Sequence, residues 1–330
     1  MLPHMGYQAP HEQFTVQELV DFGVLAEEAG FEAYFASDHF HPWMDNQQHS
    51  ALAWLTLAAL GQRTRHIRLG TGVTCPTYRY NPAIVAQAFA TLDGLYPGRV
   101  FLGVGTGEAL NEVPTGGGWG PYKERAARLR EAIAVIRGLW TGEWITFQGR
   151  FYTLNGARLY DKPAHPIPIY VAASGPKTAR MAGELGDGLI SVGNPFSEAM
   201  DKVQAAFIEG VTAVGKDPER LPRLYELYVV VGGEDEALPG AELWRHHGGL
   251  QGILDIPDPR TILRLAREQV DPRQVARRWV VSRDPEVHVK ALRRLAERGF
   301  THITVHSPQI DQREFITFYG RAVLPALRRG

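Results

Sequence analysis

Short apolar runs alternate along this chain with longer stretches in which apolar residues return every three or four positions. Eight runs read as strands: Met5 to Tyr7, Ala33 to Ser37, Ile67 to Val73, Val100 to Val104, Ile167 to Ala173, Gly188 to Val192, Leu224 to Val231 and His302 to Val305. Helical period fills Val16 to Ala29, Pro82 to Leu95, Lys123 to Leu139, Lys177 to Leu185, Glu286 to Arg298 and Gln312 to Leu327. Alternation of this kind marks repeated βα units around a parallel sheet, and eight units closing on themselves predict an α/β fold, the (β/α)8 TIM barrel. A doubly wound open sheet is the structural alternative.

Two stretches break the repeat and read as insertions at the C-terminal rim. Residues 144–160 alternate aromatic and polar side chains around Gln148-Gly149, the pattern of a β-hairpin. Residues 232–257, rich in glycine and acidic residues, read as a long loop with a short helix. Neither has the composition of a flexible linker, so residues 1–330 are expected to form one barrel domain.

Composition narrows the chemistry. With 35 basic against 36 acidic side chains and a formal charge of −1, the chain carries no electrostatic footprint for nucleic acid or an anionic membrane. The one cysteine, Cys75, can form no intrachain disulfide and no cysteine-rich metal site. No apolar run approaches the roughly 20 residues of a membrane helix, and residues 1–10 have neither the basic nor the apolar region of a secretion signal. A cytoplasmic enzyme is expected.

In such a barrel eight βα loops converge at the C-terminal ends of the strands, and polar residues there are where catalysis is expected. The second strand runs into Ser37-Asp38-His39-Phe40-His41-Pro42-Trp43, the third into Gly70 to Pro76 and the fourth into Gly103 to Glu112. An imidazole near its ordinary pKa takes a proton at neutral pH, so His39 is a candidate general base, with Asp38 placed to tie the segment to a ligand. The plainer reading is a histidine that caps a strand. His39 and His41 share a face of an extended segment but have no third ligand at suitable spacing, so no metal is expected. Trp43 reads either as an aromatic wall over a flat ligand or as ordinary rim packing.

Gly103, Gly105 and Gly107 leave no side-chain bulk at the fourth strand end, which would let a planar cofactor approach the backbone. Their spacing is not the dinucleotide Gly-x-Gly-x-x-Gly fingerprint. Glu108, at the edge of that floor, is either a buried acid with a raised pKa or a solvated loop carboxylate. At the fifth strand end Ser174 and Gly175 precede Pro176 at a helix start, where free N–H groups suit a phosphate as readily as an ordinary cap.

Three blocks, Ser37 to Trp43, Arg79 to Leu92 and Tyr96 to Glu112, in that order, resemble the luciferase-like flavin and deazaflavin oxidoreductases. Within them the chain is most similar to the branch of coenzyme F420-dependent glucose-6-phosphate dehydrogenases and related F420-dependent alcohol dehydrogenases, and the likeness covers nearly its whole length. The resemblance implies a barrel of the bacterial luciferase-like type and coenzyme F420, an 8-hydroxy-5-deazaflavin, as cofactor. It implies hydride transfer between an alcohol or sugar carbon and that cofactor, with His39 as base, Trp43 steadying the developing intermediate and Glu108 as proton donor. It further implies a non-proline cis peptide at Gly72-Val73 and a homodimer paired through helices beside the early strands. Joined to the strand-end readings, it places the cofactor against Asp38, Gly72, Val73, Thr74, Thr106, Gly107, Asn111, Ser174 and Gly175.

The sugar-phosphate branch is expected to grip its substrate's phosphate with two lysines and an arginine. The arginine is kept as Arg278, and the lysine positions fall on Pro195 and Leu254. Unless Lys202, His246, His247 or Arg277 replaces them, the substrate implied is an alcohol or sugar other than glucose 6-phosphate, contacted by Arg278. An FMN-dependent monooxygenase of the same superfamily is the second reading and a non-catalytic cofactor carrier the third. His39, Trp43 and Glu108 together count against both.

Overall fold

Short strands covered on both faces build the centre of the molecule. In the computed structural model, which describes residues 2–329, the strands are β1 (His4–Ala9), β2 (Ala33–Ala36), β3 (Arg68–Thr71), β4 (Val100–Val104), β5 (Ile145–Gln148), β6 (Thr153–Ala157), β7 (Ile169–Ala173), β8 (Gly188–Ser191), β9 (Arg223–Val230), β10 (Val280–Val281) and β11 (His302–His306). Met1 and Gly330, the ends of the expected domain, lie outside the described residues. Parallel pairing runs β9-β11-β1-β2-β3-β4-β7-β8, and β8 pairs back with β9. That last pairing closes the ring into a (β/α)8 barrel and excludes the open sheet. β10 adds two residues beside β9, and β5 and β6 form an antiparallel hairpin.

Alternation along the strands sorts side chains between two cores. Leu224 points into the barrel, where it meets Phe35, Phe101 and Tyr170. Tyr225, Leu227 and Val229 point outward into the layer packed against the helices. Phe35 and Phe101 touch at 4.6 Å between ring centroids and plug the barrel below its C-terminal mouth; burying each such ring contributes about 1.5–3 kcal/mol. The same inward face carries Glu226 and Tyr228 above the plug.

The expected helix from Gln312 to Leu327 is broken. Helix Gln312–Phe318 passes through a π-helical turn, Tyr319–Val323, into helix Leu324–Arg329. Pro325 has no N–H to complete a regular turn, which accounts for the altered ladder before it. The stretch 232–257 holds helix Glu234–Leu243 and the 3-10 turns Arg245–Gly248 and Ile253–Asp255. With the short helix Pro272–Ala276 it buries Trp244, Val270, Val275 and Trp279 in a rim layer against which Trp43 packs. Among the described residues no helix is long and apolar enough to cross a membrane.

Candidate active site

At the end of β2 the chain dives inward, leaving Asp38 1% exposed. Its Oδ2 accepts a hydrogen bond from Thr74 Oγ1 at 2.6 Å and its Oδ1 one from the Tyr80 hydroxyl at 3.1 Å. Arg79 Nη2 lies 3.4 Å from Oδ1 and donates to the Asp38 carbonyl at 2.7 Å, while its guanidinium covers the Tyr80 ring. Burial pushes the Asp38 carboxyl up, opposed by the Arg79 charge and by the donors Thr74 and Tyr80. Asp38 was expected to tie the segment to a ligand. Both of its oxygens are engaged inside the protein, where it braces the ends of β2 and β3.

His39, next along, is half-buried, and Ser50 Oγ holds its carbonyl at 2.8 Å. Its Nδ1 is buried without a partner. Burial, with the Arg79 charge adding to it, pushes the imidazole down to about 3. That shift leaves the His39 ring neutral at physiological pH. Its ring sits 5.2 Å from Trp43, which stacks on His246 at 5.2 Å and 20°. Trp43 is therefore held between two imidazoles and packs on the rim layer.

Glu108 is half-buried and burial raises its pKa. Asn111 Nδ2 donates to Glu108 Oε2 at 3.2 Å, while Asn111 Oδ1 accepts from the Phe40 backbone N–H at 2.8 Å. Asn111, expected against the cofactor, thus joins Glu108 to the segment that bears His39. Behind it Glu112, fully buried, accepts from the Arg79 backbone N–H at 2.6 Å and is pushed by burial up to about 7.

Gly72-Val73 is a cis peptide, half-exposed between buried Thr71 and Thr74. The glycines of β4 explain how it is seated. A Cβ on Gly103 would lie 2.0 Å from the Thr71 carbonyl oxygen, and one on Gly105 2.8 Å from Val73 Cγ2. These glycines admit the neighbouring bulge, not a planar ring directly, so the bulge itself faces the mouth. Gly107 adopts φ +92°, and a Cβ there would crowd Glu112 and Thr77. Thr106 is half-buried, Ser174 exposed, and Gly175 caps helix Pro176–Leu185 without a side-chain bond. An apolar bulge open to the mouth, with a raised carboxyl on one side and a neutral imidazole on the other, suits a planar heterocycle that exchanges protons at its edge.

The opposite side of the mouth holds residues that the strand-end reading passed over. His306, at the end of β11, donates from Nδ1 to Glu226 Oε1 at 2.7 Å. Glu12, in the loop after β1, is 1% exposed with Oε2 unpartnered, and burial pushes it up to about 7. Applied to β1 and β11, the same rule that found His39 would have reached Glu12 and His306, whereas Glu226 lies inside β9 and is found only by its inward side. Arg278 is exposed and donates to the His247 carbonyl at 3.0 Å, Leu254 is 44% exposed on the rim, and the Pro195 carbonyl accepts from Arg298. Among the described residues no three His, Cys, Asp or Glu side chains are grouped to hold a metal ion.

A closed parallel barrel with His39, Glu108 and the cis bulge at its strand ends defines a class, and the chain belongs to the luciferase-like monooxygenase family, whose pattern matches residues 2–302. It is 47% identical over 324 residues to the F420-dependent hydroxymycolic acid dehydrogenase of Mycobacterium tuberculosis, covering 98% of this chain and 88% of that protein. To the F420-dependent glucose-6-phosphate dehydrogenase of Nakamurella multipartita it is 43% identical over 326 residues, covering 98% and 96%. It superposes on an F420-dependent secondary alcohol dehydrogenase in complex with an F420-acetone adduct with a TM-score of 0.91 at 34% identity, covering 99% of this chain and all of that one.

Proposed function

We propose that this protein is a coenzyme F420-dependent dehydrogenase acting on the hydroxyl-bearing carbon of an alcohol or sugar. The observation that carries the reading is His39: neutral, clamped beside Trp43, with a buried nitrogen that has no protein partner. When bound, a deazaflavin supplies a carbon that accepts or returns hydride. His39 takes the substrate's hydroxyl proton, Trp43 holds the carbinol end in place, and Glu108 keeps a proton on its raised carboxyl for the cofactor's edge. Gly72, Val73, Thr74, Thr106 and Gly107 back the ring, Asp38 and Asn111 act through Thr74 and Glu108, and Ser174 with Gly175 meets a phosphate. Arg278 serves the substrate side.

Mixing the protein with F420 and 2-propanol is expected to bleach the deazaflavin's visible band, with no oxygen uptake when FMN is supplied instead. FMN-dependent oxygen uptake without bleaching would make it a monooxygenase. Glucose 6-phosphate is expected to be a poor substrate. Two missing charge-assisted contacts, each worth about 1.5–3 kcal/mol, weaken binding by about two decades or more, and a micromolar KM with the highest kcat/KM would overturn this.

We further infer a cytoplasmic homodimer. Leu52, Leu55, Ile84 and Leu95 are exposed on and beside helices Ala53–Arg63 and Pro82–Leu95, the faces that the family resemblance assigns to pairing. Only monomer in sedimentation at micromolar concentration would sink the dimer, and recovery in the membrane fraction the location.

A further inference from the structure

The β9 and β11 side of the mouth carries polar groups that hydride transfer does not use. His306 is 1% exposed; its Nδ1 is committed to Glu226, and its Nε2 is buried without a partner. Glu226 keeps 35% of its side chain open, and among the described residues its ion-pair partner is His306 alone. His246 is 5% exposed with neither ring nitrogen bonded. Aromatic faces surround these groups: Tyr228 stacks on His306 at 4.5 Å and on Trp279 at 5.9 Å, and meets His247 at 4.6 Å. The pair is three ring contacts from the reacting end, through Trp244 and His246 to Trp43.

We propose that Glu226 and His306, with Tyr228 and His246 beside them, form a subsite for a second hydroxyl of a neutral sugar or polyol, away from the carbon that reacts. The inference rests on the dehydrogenase reading. The Glu226 carboxylate and the His246 ring, which burial keeps uncharged, accept hydrogen bonds that hydroxyl groups donate, His306 Nε2 is a further polar contact for a hydroxyl, and aromatic faces cover the C–H faces of such a molecule. The same set disfavours a phosphate: the Glu226 carboxylate faces the subsite and adds to the burial that raises neighbouring Glu12, burial holds His247 at about 4 and so uncharged, and Arg278 is turned to the His247 carbonyl. A site built to accept hydroxyl protons discriminates strongly against a molecule that lacks them, because its own groups are then left unpaired.

The test compares glucose with 2-propanol, using wild type and Glu226→Gln in the presence of F420. The ratio of kcat/KM for glucose to that for 2-propanol is expected to fall at least about tenfold, carried by the KM for glucose, as the loss of one charge-assisted hydrogen bond predicts. An unchanged ratio, equal losses on both substrates, or a wild type that prefers glucose 6-phosphate to glucose would overturn the proposal. Saturation-transfer NMR of glucose on the cofactor-free protein gives a second reading, expected to weaken in Glu226→Gln by the same factor. If wild type oxidises nothing with F420 yet binds glucose in this way, the dehydrogenase reading fails and the subsite stands. Should Glu226→Gln not fold, His306→Asn is expected to lower the same ratio, and a normal ratio in that variant counts against the pair.

Discussion

On the β2 to β4 side of the mouth Asp38 answers Thr74, Tyr80 and Arg79, and Trp54 Nε1 adds a hydrogen bond to Thr74 Oγ1 at 3.2 Å. On the β9 to β11 side His246 has no bond at either nitrogen and His306 none at Nε2. Both sides bury polar side chains and both leave some unpartnered: on the first, Asp38 has both oxygens engaged while His39 Nδ1, Arg79 Nε and Glu112 Oε1 are free, and on the second both nitrogens of His246 and Nε2 of His306 are free. A buried polar group without a partner costs about 1–3 kcal/mol, which a ligand can recover. The Asp38 network therefore contributes rigidity, and the free nitrogens of His246 and His306 are the groups left for selectivity.

The sharpest way to break this contrast is Asp38→Ala, which strands Arg79, the Thr74 hydroxyl and the Tyr80 hydroxyl together. A loss of about 3–5 kcal/mol is expected, as when one partner of a buried charged pair is removed, read as a drop in denaturation midpoint. A change under about 1 kcal/mol would show that the network is ornamental. Next, His39→Ala is expected to lower turnover by at least about 10²-fold, the usual contribution of a general base, with F420 affinity by fluorescence titration little changed. A folded variant with normal turnover would return His39 to the role of a strand cap.

Acid should act on both sides at once. Burial lowers the pKa values of His11, His39, His246, His247, His288 and His302. Their folded values lie below the ordinary 6.5, so the unfolded chain binds more protons and stability is lost as pH falls below about 6.5. Glu12 and Glu112, held at about 7, run the other way: the folded state binds more protons between 4.5 and 7, so their effect weakens the protein as pH rises through that window. With the imidazoles in the majority, Tm is expected to fall from pH 6.5 to 4.5, and a Tm that rises over this range would refute the balance. The base itself stays unprotonated, so the acid limb of kcat/KM is not expected to report an ionisation at 6.5 that His39→Gln removes.

The smallest effect is expected from His246→Phe. Replacing an unpartnered buried imidazole by a ring of similar shape removes a desolvation cost and breaks no bond, so stability should stay within about 1 kcal/mol of wild type or rise. A loss as large as that of Asp38→Ala would erase the distinction between the two sides.

Much of the site was legible because strand ends are local signals. The run from Ser37 to Trp43 and the run from Gly103 to Glu112 each announce polar residues immediately after an apolar strand, and the barrel rule then sends them to one mouth. What could not be read was the state of those residues. His39 looks like an ordinary imidazole until the packing around it and Arg79 depress it, and nothing in the sequence shows that Thr74 and Tyr80 donate to the oxygens of Asp38.

The sequence by itself determined the alternation of strands and helices, the parallel barrel that follows, and the candidates His39, Trp43 and Glu108, because periodicity and strand-end chemistry are written within a few consecutive residues. Only the tertiary structure decided that His306 meets Glu226 across 80 positions of chain, that Trp43 stacks on His246, and that the glycines of β4 receive the Val73 bulge. Such contacts depend on how the closed barrel aims side chains from distant segments into one volume, and burial in that volume sets their charge.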